Sequence, residues 1–559
     1  MILIIVTWIV FAFFFIPSGL FVKRLLNIEN TNFSITIFIG MGLQCVALTV
    51  ASFFFRIGVE VFVVNLTLML ILWFFSRKQI TEHLICSSRE LKNLFPLSKL
   101  LLLSMVIVTA YTSAKLPFLI DNESYYVQTI KWINQYGLVK GLANLHVFFG
   151  QTSPLHILQA GFNFNFLTDR FNDINGFILL VGSHFFITEF DRKKAESEKN
   201  SWIGFLLIFA ILFLQFVSEP SPDLAIYVLS PIALFLFLEQ KNNTAFFRIA
   251  TLLVLFIFFI KITTTPFILL LIYWGFREKK RLSFLFILLT FISLILIAKN
   301  TIVTGYPFYP FDFFPTNFDW ILPHEMLTFI FDATSNAGYL EGRSFEDTTF
   351  IEKLVSWLNL TGLNRIFNWG ILLLFLLVPF TKKFRKLINY RIVYFMLLIH
   401  FILLLVTSPQ FRFFLPEFIF FSVIIASEMV DFLKLAQKTT ALLLLFMIFI
   451  PLLIFEFVSF ESLTANPFHQ KKSKFSWRQI VVPEKTTKYA AIPFEKVKNG
   501  NLEYYSPQEN FFFYGTSNGT LPCVNKIQID YFEKTMGITP QLRGATLKEG
   551  FYSRNTVMK

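Results

Sequence analysis

The sequence predicts an all-α polytopic membrane protein that carries a small C-terminal domain of short α/β or irregular elements, and three observations predict it. Hydrophobic residues make up 55% of the 559-residue chain and charged residues only 15%, against about a quarter charged in soluble proteins. Apolar runs recur through residues 1–458, most of them near the ~20 residues that cross a hydrocarbon core as a helix. Beyond residue 458 the runs stop, and residues 459–559 are dense in turn formers such as Pro483, Pro493, Pro507, Gly515 and Gly537.

The apolar runs lie at 2–22, 33–55, 57–75, 100–119, 174–190, 201–217, 224–239, 246–261, 263–276, 282–299, 366–381, 392–407, 417–430 and 441–458, about fourteen candidate helices. Those too short for a straight span are expected to be tilted, broken or re-entrant. The first has no basic segment before it and reads as a retained span, not a cleaved signal. The 76 Phe residues read as compositional bias, because a lipid-facing Phe is energetically similar to Leu.

A formal charge of +13 raises nucleic acid as a partner. The basic residues, however, sit in short clusters between apolar runs and form no stripe on one domain, which argues against it. The clusters are Lys23 with Arg24; Arg77, Lys78, Arg89 and Lys92; Arg192, Lys193 and Lys194; Arg277, Lys279, Lys280 and Arg281; Lys382, Lys383, Arg385 and Lys386; and Lys434 with Lys438. If the spans alternate, all fall on one side, which the positive-inside rule makes cytoplasmic. Both termini then lie outside, as do the loops 120–173, 218–223, 300–365 and 408–417 and the tail. Cys45, Cys86 and Cys523 show neither metal-ligand spacing nor an obvious pair.

The stretch 121–150, DNESYYVQTIKWINQYGLVKGLANLHVFFG, is polar and acid-bearing between long apolar runs. Asp121 and Glu123 follow an apolar segment directly, and carboxylates at such a boundary are candidates for a general base or metal ligand. Helix capping accounts for the same pair, with Asp121 or Asn122 opening a helix and Glu123 in its first turn. Tyr126, Ile130, Ile133 and Gly137 mark one face of an amphipathic helix in the interface plane, with Trp132 and Tyr136 suited to the headgroup belt. A second such helix is expected over 154–167 with His156 and Gln159. His146 and His156 are candidate ligands or acid–base groups, or polar anchors.

In SEPSPDL, Glu219 and Asp223 either complete a carboxylate cluster with Asp121 or simply favour the turn. KITTTP at 261–266 breaks a long apolar stretch, and a Lys at that depth pairs with an anion, faces a wet cavity or snorkels. Lys261 is thus a candidate phosphate contact, with Thr263, Thr264 and Thr265 lining the same cavity. Arg412 stands where a short turn re-enters the membrane; it can grip a lipid phosphate bidentately or pair with Glu417. The segment TGYPFYPFDFFPTNFDW, with Tyr306, Tyr309 and Trp320, reads as a lid, a sugar platform or rigid packing.

Taken together, the acid opening the first large outward loop, the acid in the next, the Lys in a broken membrane pair and the late Arg resemble the GT-C class of integral-membrane glycosyltransferases. The segments DNESYY, IKWINQYGLVKGLANLH, TGYPFYP, SPQFRF, LPC, LRG and EGF look like a bacterial family of large polytopic membrane proteins associated with that fold. The resemblance implies transfer of a sugar from a polyprenyl-phosphate-linked donor to a glycan, lipid or protein acceptor, on the outer side of a bacterial inner membrane. It implies Asp121 as the catalytic carboxylate, Lys261 and Arg412 as partners of the departing lipid phosphate, and Glu123, His146 and Asp223 as groups positioning substrate or metal. Some members use a divalent ion, and Asp121 with Glu123 would be the ligands here for Mg or Mn. In that class the loop acid usually follows the first span, whereas three further spans precede Asp121. Two other functions share these features: a polymerase or ligase of lipid-linked glycans, and a lipid-glycan flippase with intramembrane charges along its path.

Overall fold

A computed structural model describes residues 1–29, 31–197, 201–239, 244–277, 282–339, 348–458, 468, 474–508 and 511–555. The side chains of Lys193 and Lys194, and residues Lys279, Lys280 and Arg281, lie outside the described residues. Eight described helices are long and apolar enough to cross a membrane: Ile2–Leu25, Phe33–Ser52, Val59–Asn93, Pro96–Ser113, Leu282–Thr304, Gly362–Phe380, Ile388–Thr407 and Gln437–Phe457. Shorter apolar helices run over Trp202–Leu214, Pro222–Leu238, Thr244–Ile260 and Ile262–Arg277. The expected runs are therefore helical, but several are too short to be straight spans. The run expected at 201–217 is a 3-10 segment, Trp202–Phe209, followed by one turn of α-helix, Ala210–Leu214.

Close approach of backbones sets the first helix pair. A Cβ built on Gly19 would stand 2.0 Å from the Thr36 carbonyl oxygen, and one on Gly40 would stand 1.9 Å from that of Phe15. Small residues give membrane helices this contact, since lipid supplies no hydrophobic drive between them. Phe11, Phe14, Phe15, Phe162 and Phe177 pack around the contact edge to face. Phe is also displayed outward, as at Phe74, Phe75 and Phe432. Val59–Asn93 is mostly exposed and one unbroken helix of 35 residues. At 1.5 Å per residue that is about 50 Å, well beyond the ~30 Å core. The basic segment carrying Arg77, Lys78, Arg89 and Lys92, expected as a loop after residue 75, is the same helix continuing past the apolar zone.

The loops with unusual chemistry meet on one face. The amide of Gly141 donates to Ile302, Lys299 Nζ to the Thr152 carbonyl, and Ser153 Oγ to that of Ile260. The tail lies on this face too and comes back to the N-terminus, where the Leu3 amide donates to Val481. It contains two antiparallel hairpins, Phe494–Asn499 with Leu502–Pro507 and Ile538–Leu542 with Phe551–Asn555, and a helix, Lys526–Met536.

The tail does not close a core of its own. Leu502, Tyr504, Ile529 and Phe551 are buried with Tyr125, Trp132, Leu142 and Phe149 of the long loop. Phe532 and Ile538 join Val147, Tyr306 and Tyr309. Trp132, expected in the headgroup belt, is instead fully covered and meets Phe551 edge to face at 5.7 Å. Its helix, Val127–Tyr136, is amphipathic as expected, but the tail covers it, so it does not lie free in the interface. It stops at Gly137, whose φ of +74 and 2.5 Å Cβ clearance to the Phe55 carbonyl admit no larger residue.

Candidate functional site

Asp121 opens a π-helical turn, Asn122–Tyr126, that feeds into the helix Val127–Tyr136. Such turns widen a helix and often accompany functional positions. Asp121 itself has helical dihedrals and makes no side-chain cap hydrogen bond. Its carboxylate goes elsewhere: Arg412 Nη1 donates to Asp121 Oδ2 at 2.5 Å across 291 residues of sequence. Capping therefore does not account for this acid.

Arg412 sits on a 3-10 turn, Phe411–Phe413, between the helices Ile388–Thr407 and Leu415–Phe432. Its backbone carbonyl accepts the Tyr227 hydroxyl at 2.5 Å, and its Nε makes no hydrogen bond within the described residues. Glu417, its other expected partner, is buried against His400, whose Nδ1 meets the carboxylate.

The second pair lies beside the first. Lys261 Nζ donates to Asp223 Oδ1 at 2.5 Å. Asp223 is in the first turn of Pro222–Leu238, with Ser221 as N-cap, and Lys261 is extended in the break between Thr244–Ile260 and Phe267–Arg277. The Phe413 ring joins the pairs: Lys261 Nζ is 3.6 Å from its centroid and the Arg412 guanidinium carbon 4.9 Å. Cations over an aromatic face are held without losing their donors. Tyr125 and Tyr126 complete the wall, close enough to Asp121, Asp223 and Arg412 to feel their charge. Burial, and then Asp121, raises the Tyr125 hydroxyl above its ordinary value, so it stays a neutral donor. Two carboxylates, two cations and a ring of aromatics thus form one lip. Each of the four charged side chains is 5–27% exposed.

Glu219 adjoins this lip. It accepts from the amides of Phe118 and Leu119, both at 2.9 Å, through one oxygen. Its other oxygen has no partner within the described residues. Burial pushes its carboxyl up to about 8, opposed by those amides and by Lys488. The folded protein then holds a proton that the unfolded chain releases near 4.5. Stability from this group is complete below 4.5 and is lost as pH rises through about 8. Glu219→Gln is therefore expected to remove a loss of stability, on the order of a few kcal/mol, that the wild type shows between pH 5 and 8 as a falling melting temperature. Scanning fluorimetry across that range checks it; parallel profiles for the two proteins would contradict it.

Glu123 and His146 are placed differently. The Glu123 carboxylate is buried and accepts from Thr487 Oγ1, the Lys488 amide at 2.9 Å and Asn122 Nδ2 at 3.0 Å. Its backbone carbonyl accepts from Thr516 and Ser517. It ties the loop to the tail and is not part of the lip. His146 Nδ1 accepts from the Phe148 amide, and Nε2 faces the Tyr514 carbonyl at 3.2 Å. Burial lowers it to about 4, so it is a neutral structural group. His156 is likewise lowered by burial, to about 3, and its Nδ1 accepts from the Ser153 amide in a capping box of the helix Pro154–Phe162.

The hydroxyls of Thr264 and Thr265 donate to the local carbonyls of Lys261 and Ile262. Tyr309 donates to the Val147 carbonyl of the loop and Trp320 to that of Thr301 on Leu282–Thr304, contacts that agree with the packing reading of this aromatic segment. The metal expectation does not fit the geometry either: Glu123 turns to the tail, Asp121 and Asp223 hold cations, and no three His, Cys, Asp or Glu among the described residues are grouped to bind an ion.

Tyr125, Tyr227 and the His400 partner of Glu417 carry no sequence expectation, and Tyr126 is expected only on the apolar face of an amphipathic helix. Two consecutive tyrosines directly after an interfacial acid were the available signal. A family model described as a domain of unknown function, DUF8201, matches residues 1–420, a stretch that contains all four charged residues of the lip. No curated protein and no solved structure matches the chain.

Proposed function

We propose, for a chain that belongs to the DUF8201 family, the function its charged lip supports best: an integral-membrane glycosyltransferase that moves a sugar from a polyprenyl-phosphate-linked donor to an acceptor. The observation that carries the reading is the pairing of Arg412 with Asp121 and of Lys261 with Asp223 around one aromatic ring. The carboxylates hold two cations in place in a partly dry site, where preorganised charge acts most strongly on a developing anion.

In the proposed reaction the acceptor hydroxyl oxygen attacks the anomeric carbon, and the bond from that carbon to the lipid phosphate oxygen breaks. The bonding electrons leave with the phosphate, which Arg412 and Lys261 receive. The acceptor proton passes to Asp121, freed as Arg412 turns to phosphate. Asp223 keeps Lys261 oriented. The GT-C likeness rests on this face, where an amphipathic helix, here covered by the tail, follows the loop acid. The basic clusters toward the far ends of the helices support an outward-facing site in a bacterial inner membrane.

Arg412→Ala is expected to weaken binding of a polyprenyl phosphate about 10–100-fold, the worth of a charged hydrogen bond. Titration of the purified protein in nanodiscs measures this, and unchanged affinity would overturn the phosphate assignment. A flippase is the second reading, favoured by the buried His400–Glu417 pair inside the bundle.

A further inference from the structure

A second concave site lies on the helix that continues from the π-helical turn opened by Asp121. Val127, Ile130, Lys131 and Asn134 of Val127–Tyr136 form one wall of a cleft of about 220 Å³, closed by the segment 163–172 and by Thr486 and Asn518 of the tail. Its wall is braced: Asn163 Nδ2 donates to Asn134 Oδ1 at 2.7 Å, and Asn134 Nδ2 donates to the carbonyls of Ile57 and Ala160. The side chains of Gln135, Asn165, Thr168 and Asn172 also line it and make no hydrogen bond within the described residues. Asn172 is only 8% exposed as a residue and is one of the amides that line the cleft. Phe171 supplies an apolar surface on the same wall.

The charge of the cleft selects among ligands. Lys131 spends its ammonium on the carbonyls of Asn518 and Gly519 and on Asn518 Oδ1, and Asp169 stands on the rim. An anion would meet no free cation and one carboxylate. Amides and a hydroxyl, each able to donate or accept, beside a single aromatic ring suit a neutral polyhydroxylated ring. The volume is enough for one such ring.

We infer that this cleft binds one neutral sugar unit, and that the unit belongs to the acceptor. The word acceptor rests on the transferase reading, whereas the binding itself does not. The test is saturation-transfer NMR on the full chain in nanodiscs, with glucose, galactose, N-acetylglucosamine and inorganic phosphate as probes. Wild type and Asp121→Asn should both transfer saturation to the ring protons of at least one sugar and none should compete with phosphate. Asn165→Ala and Gln135→Ala change exposed residues and leave the fold intact, and each should weaken binding about five-fold, the worth of one neutral hydrogen bond.

Binding that survives both substitutions together would overturn the assignment of the site. Absence of transfer to all three sugars from a folded protein would overturn the ligand class, as would displacement by phosphate. Loss of polyprenyl phosphate binding in Arg412→Ala bears on the lip alone and leaves this result standing.

Discussion

Asp121→Asn, assayed in protein reconstituted into vesicles, is expected to slow sugar transfer about 10²- to 10⁴-fold, the usual contribution of a positioned general base. The fold should persist. Asp121 caps no helix and is part-exposed, and an amide keeps one acceptor for Arg412. The pair is only 22–27% exposed, so weakening it costs some stability, about 1.5–3 kcal/mol for one charged hydrogen bond, with the Asn acceptor and the nearby Asp223 limiting the loss. A rate within three-fold of wild type would reduce Asp121 to a structural partner of Arg412.

The largest structural effect is expected at Glu123→Ala. The substitution removes the carboxylate that the buried Thr487 hydroxyl and the Lys488 amide donate to, although Thr487 keeps Ser517 Oγ as a partner, and each lost charge-assisted hydrogen bond costs about 1.5–3 kcal/mol. The tail should loosen from the loop, so that amide protection across residues 474–508 falls and proteases reach it, while the helix bundle stays protected. Glu123→Gln should recover part of that protection. A tail that remains protected in Glu123→Ala while transfer is lost would return Glu123 to the substrate-binding role suggested by its sequence position.

Hydropathy made the bundle legible, and buried charge made the lip legible. A Lys at the break 261–266 and an Arg on a re-entrant turn both demand anions, and the sequence supplied Asp121 and Asp223 as acids on the same face. Which acid takes which cation was not readable, because Arg412 meets Asp121 across 291 residues. Amphipathic spacing likewise showed that Val127–Tyr136 has a face to bury, but not that the tail buries it, so Trp132 read as a headgroup anchor. The basic stretch after residue 75 read as a loop because hydropathy marks where lipid ends, not where a helix ends. His146 looked chemical for a similar reason: the carbonyl of Tyr514 that occupies it lies 368 residues away.

The central claim is that the paired lip transfers sugar from a lipid phosphate. Its most direct test supplies the purified chain in vesicles with radiolabelled polyprenyl-phosphate sugars and follows both the label in acceptor and the free polyprenyl phosphate. The account predicts equal molar appearance of the two products with wild type and neither with Asp121→Asn combined with Arg412→Ala. Transfer undiminished in the double variant, or label crossing the bilayer still attached to its carrier, would contradict it.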